Sequence, residues 1–255
     1  MEAMDYVSIL SRWLHIGAGI LWIGLLYFFN FVNGPFVATI DGETKKKVVP
    51  ELMPRALYFF RWGAAYTWIT GLLLLGLVYS MSHIFLVNPS DSSVTTTLLF
   101  WSFLIAPPLY DLLAKSALGK NPKVFAAICF VLTCGIIYLL EYCFGFSYRG
   151  TLMYVGALFG TTMAYNVWMR IWPSQRKIIT GIKTGPPADP SIVALAGSRS
   201  KHNTYMSVPL VWTMINMHSV AMAGQCNTLI MAGIILVGWG LTFLIYKKAA
   251  AVKGF

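Results

Sequence analysis

The sequence predicts an all-α fold: a polytopic bundle of about seven transmembrane helices, with the N-terminus outside and the C-terminus in the cytoplasm. Two observations predict it. First, 57% of the residues are hydrophobic and only 11% are charged, whereas a soluble domain carries about 25% charged residues. Second, Lys and Arg concentrate in alternate segments between the apolar stretches, and basic segments stay on the cytoplasmic side of a membrane.

The charge distribution sets the orientation of the bundle. The segments that connect the predicted spans must lie alternately on the two sides of the membrane. With this assignment, seventeen of the nineteen Lys and Arg residues fall on one side. The other side holds only Arg12 and Arg149. We therefore assign the basic side to the cytoplasm. The net charge of +10 then comes from basic residues at the cytoplasmic ends of the helices. We expect the lipid bilayer, and no nucleic acid, as the partner of this protein.

The first three predicted spans are separated by one basic segment and one segment whose only charge is Asp91. Span 1, near residues 6–32, is long and has no basic segment before it, so we expect it to be retained and not cleaved as a signal peptide. A polar, basic loop leads to span 2, near 57–86. A turn rich in Ser and Thr leads to span 3, near 98–118, in which Pro107 and Pro108 should kink the helix.

The last four spans are predicted near residues 124–143, 148–172, 205–222 and 228–246. Between the fifth and the sixth lies the longest loop, residues 173–203, which is basic and therefore cytoplasmic. Span 6 is the shortest and the most polar, so we expect neighbouring helices to shield it from lipid. Each span approaches or exceeds the ~20 residues that cross ~30 Å of hydrocarbon. Together they form a single membrane domain, residues 1–255.

The cysteines give one structural prediction and exclude one cofactor. Cys143 and Cys226 map to the outer ends of spans, where disulfides persist, so they are the candidate disulfide pair. No CxxCH motif, the attachment signal of a covalent haem, occurs. We therefore expect no covalent c-type haem on this chain.

Two histidines are the leading candidates for chemistry. His15 in span 1 and His218 in span 6 fall in the same outer half of the bilayer, and ionisable residues inside a membrane are functional candidates by default. Two neutral imidazoles can ligate one iron, which predicts a haem b. Arg12 lies one turn outward from His15 and is a candidate partner for a haem propionate. Gly19 is a candidate haem-packing position, because a small residue leaves room for a flat macrocycle.

Other readings of the polar residues stay open. His15 is also a candidate for a hydrogen-bonded helix contact, and His83 is an alternative ligand in a copper or other metal site with His15 and His218. A second candidate site is formed by His202 with Arg199, which would serve as an anion site, a second haem site with one non-histidine ligand, or a contact to lipid headgroups. Candidates for hydrogen bonds between helices are Asn30, Asn166 and Asn203.

Four segments carry a family resemblance: RWLHIGAGILWIGLLYFFNFVN, FRWGAAYTWITGLLLL, NVWMRIWPSQRKII and LAGSRSKHNTYMSVPLVWTMINMHS. Together, in this order, the sequence resembles the N-terminal membrane domain of the bacterial membrane-bound urate hydroxylases, the urate oxidase N-terminal family. The resemblance implies that His15, His202 and His218 are recurrent family histidines. Other positions that match the family's motifs are Trp22, Asn30, Asn166, Trp172, Pro173, Asn203 and Pro209.

The resemblance also implies partners and a location. Family members continue into one more span and a C-terminal cytochrome c domain, and we expect this chain, which ends at Phe255, to lack them. Electrons would then pass to a separate external cytochrome c or to other subunits of a membrane complex. The expected location is the bacterial cytoplasmic (inner) membrane.

Three functions follow from these observations. The first is a haem b electron-transfer subunit that exchanges electrons with an external cytochrome c or another respiratory partner. The second is a urate hydroxylase that converts urate to 5-hydroxyisourate. The third is a non-redox structural subunit of a membrane complex. Whether the chain is itself an oxidoreductase or a subunit of one stays open.

Overall fold

The fold is built from helices alone in the residues that the structure describes. The structure is a computed structural model that describes residues 3–219 and 227–252. Within them no strand forms, and a single β-bridge joins Leu86 to Phe146. The α-helices are α1 (Ala3–Tyr27), α2 (Gly34–Thr39), α3 (Gly42–Leu74), α4 (Val94–Trp101), α5 (Ala106–Lys115), α6 (Pro122–Tyr138), α7 (Tyr148–Asn166), α8 (Trp172–Thr184), α9 (Pro190–Asn216) and α10 (Asn227–Ala251).

The prediction of an all-α membrane protein is confirmed. Within the described ranges, five helical segments are long and apolar enough to cross a membrane: Met4–Thr39, Gly42–Ser80, Val94–Lys115, Pro122–Cys143 and Asn227–Ala251. They correspond to predicted spans 1 to 4 and 7. The other two predicted spans, near 148–172 and 205–222, are helical but are not among these five. The number of seven spans and their direction across the membrane stay predictions.

The low hydropathy of predicted span 5 has a physical reason in the burial of α7. Every residue from Thr151 to Phe159 is buried, so this helix is covered on all of its faces. A covered helix needs no apolar surface towards lipid, and it carries the buried hydroxyls of Thr151, Thr161 and Thr162. Predicted span 6, the second half of α9, likewise has buried polar side chains, among them Ser207 and Thr213.

The helix starts follow the usual capping rules. The Asp41 carboxylate accepts hydrogen bonds from the backbone N–H groups of Glu43 and Thr44 at the start of α3, at 2.9 and 3.0 Å. The Ser93 hydroxyl accepts one from the Thr96 N–H at the start of α4, at 3.1 Å. Asn121 caps α6 in the same way. These side chains satisfy backbone donors that a helix leaves unpaired in its first turn.

The helix ends and the predicted proline kink depart from regular α-helix. Pro107 and Pro108 lie in the first turn of α5, where proline is tolerated, and a 3₁₀ segment, Ser102–Ile105, separates α5 from α4. The expected kink in predicted span 3 is therefore this 3₁₀ break. Four α-helices in the described residues continue into π-helical segments, which are often found at functional sites. The segments are Phe28–Asn33, Leu75–Ser80, Leu139–Cys143 and Val167–Ile171.

The chain divides into two compact units. The first unit comprises Met1–Ser11, Gly71–Thr162 and Val208–Gly238. Its core contains a cluster of buried rings in which Phe85 stacks on Phe100 with a centroid distance of 4.5 Å and lies 5.3 Å from Phe146. Gly150 is required here, because an added Cβ would collide with the Phe85 carbonyl oxygen.

The second unit comprises Arg12–Thr70, Met163–Ser207 and Trp239–Phe255. Its buried side chains include Leu26, Leu57 and Phe60, and the Phe60 ring meets the Phe29 ring edge to face at 5.3 Å. Most of the residues singled out by the sequence, including His15 and His202, belong to this unit.

Candidate functional site

The His15 ring is held by the neighbouring helix α3. Its Nδ1 lies 2.9 Å from the backbone carbonyl oxygen of Thr67 and 3.2 Å from the Thr70 hydroxyl. A carbonyl oxygen only accepts hydrogen bonds, so Nδ1 carries the proton and donates it. In the neutral ring the other nitrogen, Nε2, then carries the lone pair. The neutral form of His15 is therefore an oriented imidazole with one nitrogen available as a ligand.

Close packing of α1 against α3 creates this contact. An added Cβ at Gly63 would lie 3.3 Å from the backbone nitrogen of Trp22, so the two helices approach closely at this point. Thr67 lies one turn after Gly63 on α3, and an added Cβ at Gly19 of α1 would lie 3.7 Å from its methyl group. The small residue at position 19 thus faces α3. Its predicted role as a haem-packing position stays a prediction.

Residues three or four apart share a helix face, and the contacting faces follow this spacing. On α1 the face is formed by His15, Gly19 and Trp22, and on α3 by Gly63, Thr67 and Thr70. Sequence reasoning singled out His15 and missed Thr67 and Thr70. The signal for them was present, because Gly63, Thr67 and Thr70 recur at the same spacing as the residues they meet.

Trp22 contributes an unfilled donor to the same face of α1. Its side chain is only 1% exposed, and its indole Nε1 has no hydrogen-bond acceptor within the described ranges. A buried N–H without an acceptor is uncommon, since it loses its bond to water on burial.

Arg12, the candidate propionate partner, lies one turn before His15 and is exposed, with no ion pair to any described residue.

His218 belongs to the first unit. It follows the last residue of α9 by two positions, and the turn is fixed by a hydrogen bond from the Ser219 N–H to the Asn216 carbonyl oxygen at 2.9 Å. The same carbonyl accepts a bond from the Tyr148 hydroxyl at 3.0 Å. The His218 ring is exposed and makes no hydrogen bond to any described residue. The sequence predicted it inside span 6, and it lies just beyond the end of the helix.

His83 has a structural role in the first unit. Its backbone φ is +52°, a value that residues other than glycine rarely adopt. Its Nδ1 lies 3.0 Å from the Ser92 hydroxyl, and this bond holds the loop closed. No group of three or more His, Cys, Asp or Glu side chains suited to a metal ion occurs in the described residues. Its role as an alternative metal ligand stays a prediction.

The second candidate site lies on α9. Arg199 is buried, with 2% of its surface exposed, and His202 is half-buried one turn further along. The neighbouring Asn203 accepts a hydrogen bond from Asn166 at 2.9 Å and donates one to the Met163 carbonyl oxygen at 3.0 Å. The predicted role of Asn166 and Asn203 in bonds between helices is thereby confirmed.

A second polar contact in the same unit centres on Asn30, in the π-helical segment after α1. Its amide nitrogen donates to the Ser200 hydroxyl at 2.8 Å, and its amide oxygen accepts from the Tyr246 hydroxyl at 2.8 Å. Tyr246 also bonds to the Thr204 hydroxyl at 3.2 Å. Asn30 was predicted as a hydrogen-bond partner and Tyr246 was not, because a tyrosine near the end of a span usually marks the membrane interface.

The remaining candidates are only partly described. Cys143 is exposed at the end of the π-helical segment that follows α6. Cys226 lies outside the described residues, and so does the predicted disulfide between them. Two surface cavities, of about 470 and 350 Å³, are lined by none of the candidate histidines. The larger lies at the start of α4 and the smaller among the beginning of α3, the end of α8 and the beginning of α9.

Comparison with known protein families gives a match over most of the chain. Residues 39–253 match the family described as urate oxidase N-terminal. The chain belongs to this family. No curated protein and no solved structure matched it.

The matched range of the urate oxidase N-terminal family includes three of the four histidines: His83, His202 and His218. Helix α1, with His15 and Trp22, precedes residue 39. The family match therefore supports the resemblance drawn from α3, α8 and α9. The assignment of His15 to a recurrent family position rests on the sequence resemblance of its own segment.

Proposed function

We propose that this member of the urate oxidase N-terminal family is an integral-membrane electron-transfer protein that binds haem b through His15. The observation that carries the proposal is the hydrogen bond from His15 Nδ1 to the Thr67 carbonyl oxygen at 2.9 Å. Histidines that ligate metals almost always donate their other ring N–H to a carbonyl, a carboxylate or water, which fixes the tautomer and the ring orientation. His15 has this arrangement, with Nε2 as the ligand atom.

The second ligand that the sequence predicts is His218. Its exposed ring makes no hydrogen bond to a described residue, so no described side chain competes for its nitrogens. Arg12, exposed and without an ion pair in the described residues, is the proposed partner of a propionate. When bound, haem b would supply reversible one-electron transfer, at a potential set by its axial ligands and surroundings. The protein would orient the ligands and keep the site in the membrane.

The proposed electron partner is a separate cytochrome c or another subunit of a membrane complex. Residues 1–255 contain no CxxCH motif, so a covalent c-type haem would not be attached within them. The proposed location is the bacterial inner membrane, with the basic side of the bundle in the cytoplasm. A partner outside that membrane would meet the side that holds only Arg12 and Arg149.

A second candidate function is favoured by the family match. The name of the family refers to urate oxidation, and conversion of urate to 5-hydroxyisourate adds the oxygen of water and releases electrons and protons. In that case the chain would be a urate hydroxylase that passes the electrons to cytochrome c. Electron transfer alone and urate hydroxylation differ in whether urate reduces the protein.

Pyridine haemochrome analysis of the purified, detergent-solubilised protein tests the proposal. We expect a b-type spectrum, with haem in constant proportion to protein across preparations. Anaerobic addition of urate then separates the two functions: reduction of the haem indicates urate hydroxylation, and an unchanged oxidised spectrum indicates electron transfer from another donor. Absence of haem from protein isolated from its native membrane would contradict both functions and leave a structural subunit.

A further inference from the structure

A cage of aromatic rings surrounds the Arg61 guanidinium in the second unit. Its Cζ lies 4.0 Å from the centre of the Trp172 ring, which is direct stacking of the cation on the indole face. The rings of Tyr58 and Trp168 lie 5.6 and 5.9 Å away. The Trp168 indole N–H also donates to the Arg61 backbone carbonyl oxygen at 3.1 Å. The side chain of Arg61 is thus fixed in place by rings.

These rings hold the cation but do not neutralise it. The buried Nε of Arg61 has no hydrogen-bond acceptor, and the guanidinium makes no ion pair in the part of the chain that the structure describes. A guanidinium presents five N–H donors in a planar fork that fits carboxylate and phosphate oxygens. A fixed guanidinium with unfilled donors is suited to an anion from outside the chain.

A second cation lies on the same indole. The Cζ of Arg176 is 5.8 Å from the centre of the Trp172 ring, and Arg176 is exposed and also without an ion pair to a described residue. Trp172 therefore brings two guanidinium groups together, although their like charges repel. Such a pair is stabilised when an anion lies near both groups.

The acidic residues of the second unit are all engaged elsewhere. Asp41 caps α3, and Asp189 accepts a hydrogen bond from the Ser191 N–H at 2.7 Å at the start of α9. Glu43 pairs with Lys46, and Glu51 pairs with Arg55. The sequence provides no other Asp or Glu in this unit. No carboxylate of this unit is therefore available to complement Arg61 and Arg176, and a ligand can supply the anion.

The position of the two arginines in the sequence favours a lipid headgroup as the anion. Arg61 is the last charged residue before an uncharged stretch that reaches residue 90, within Gly42–Ser80, a segment long and apolar enough to cross a membrane. Arg176 lies six residues after Arg170, the charge that ends the uncharged stretch 150–169, on the same basic side of the predicted topology. Tyr58 and Trp62, beside Arg61, are exposed, and such rings are typical of the depth of lipid headgroups.

We propose that Arg61 and Arg176, both beside the Trp172 ring, form a binding site for the phosphate of an anionic phospholipid at the cytoplasmic interface. Basic pockets between membrane helices on this side bind anionic headgroups. The uncharged helix surface below Arg61 would contact the acyl chains. The site is independent of haem binding and of electron transfer.

Native mass spectrometry and thermal unfolding in lipid nanodiscs test the site. The wild-type protein should retain phosphatidylglycerol in preference to phosphatidylcholine, and phosphatidylglycerol should raise its unfolding temperature. The double variant Arg61→Gln/Arg176→Gln should bind phosphatidylglycerol roughly tenfold more weakly and lose the thermal shift, since the two guanidinium groups would hold the phosphate directly. The matched control Arg55→Gln/Lys183→Gln removes two cations of the same unit and should behave as wild type.

Two further measurements test the lipid site. Arg176→Gln alone changes an exposed residue and should fold, and we expect it to show part of the loss. Inorganic phosphate, added to protein in phosphatidylcholine nanodiscs, should give no thermal shift. Equal preference for phosphatidylglycerol in Arg176→Gln and wild type would overturn the proposal. Stabilisation by inorganic phosphate as large as that by the lipid would also overturn it, because the site would then serve a soluble anion.

Discussion

The Nδ1 atom of His15 donates a hydrogen bond to the backbone carbonyl oxygen of Thr67 at 2.9 Å. This single contact decides which ring nitrogen is free, and so links the packing of α1 on α3 to the proposed cofactor. It depends on the main chain of Thr67 and not on its side chain. The contact therefore persists only while the two helices keep their close approach.

Gly63 tests that close approach. An added Cβ would lie 3.3 and 3.4 Å from the backbone atoms Trp22 N and Ala18 O, which cannot move without shifting α1. We expect Gly63→Val to lower the free energy of unfolding by about 1–3 kcal/mol, as overpacking does, and to reduce haem content. Equilibrium unfolding in mixed micelles measures the first and the haemochrome assay the second.

Gly24→Ala is the matched control for this change. Gly24 lies on α1, and an added Cβ there has no atom within 4 Å. It should leave stability and haem content close to those of the wild type. Equal effects of Gly24→Ala and Gly63→Val would show that the contact between α1 and α3 is not what holds His15.

The hydrogen bond between Asn166 and Asn203 gives a prediction about the second unit. Both side chains are fully buried, and the bond length is 2.9 Å. We expect Asn203→Ala to destabilise the protein by about 1–2 kcal/mol, because it also removes the bond to the Met163 carbonyl oxygen. A double-mutant cycle with Asn166→Ala should give a coupling energy of roughly 0.5–1.5 kcal/mol. Strict additivity of the two changes would show that the bond contributes nothing.

The Asp41 cap predicts how stability responds to acid. Hydrogen bonds from the Thr44 hydroxyl, and from the backbone N–H groups of Thr44 and Glu43, stabilise the carboxylate and lower the pKa of Asp41 below its ordinary value of 3.8. A lowered folded-state pKa contributes stability that is present above the unfolded-state pKa and is lost as the pH falls through the folded-state pKa. The capping contribution should therefore fade below about pH 4.

Asp41→Asn is the control for this pH dependence. Asparagine caps helices about as well as aspartate but does not titrate. Unfolding temperatures of the two proteins, measured from pH 7 to pH 3, should converge at the acidic end. A constant difference between them over the whole range would show that the Asp41 carboxylate does not contribute through its charge.

Much of the helical architecture could be predicted because its signals are local. Uncharged stretches mark the spans, and Ser93 and Asn121 mark helix starts by their own side-chain chemistry. The end of α9 before His218 was not predicted, because residues 217–219 contain neither Gly nor Pro. The π-helical segments also carry no recognisable sequence signal, since they arise from how each helix packs.

The sites could be predicted only in part, because they depend on how the helices are rotated against one another. His15 was identifiable as an ionisable residue inside a span. Its partner is a carbonyl oxygen, and every residue has one, so only the packing of α1 on α3 selects Thr67. The stacking of Arg61 on Trp172 joins residues more than a hundred positions apart and depends on side-chain conformation. No spacing within the sequence predicts such a contact.

The most direct test of the central claim is the reduced minus oxidised absorption spectrum of wild type, His15→Ala and His83→Ala. His83 is the matched control, because its Nδ1 is bonded to Ser92 in a loop of the other unit. Haem ligation through Nε2 of His15 predicts a low-spin b-type spectrum in wild type and His83→Ala, and its loss in a folded His15→Ala protein. An unaltered spectrum in His15→Ala, or no haem in any of the three, would contradict it.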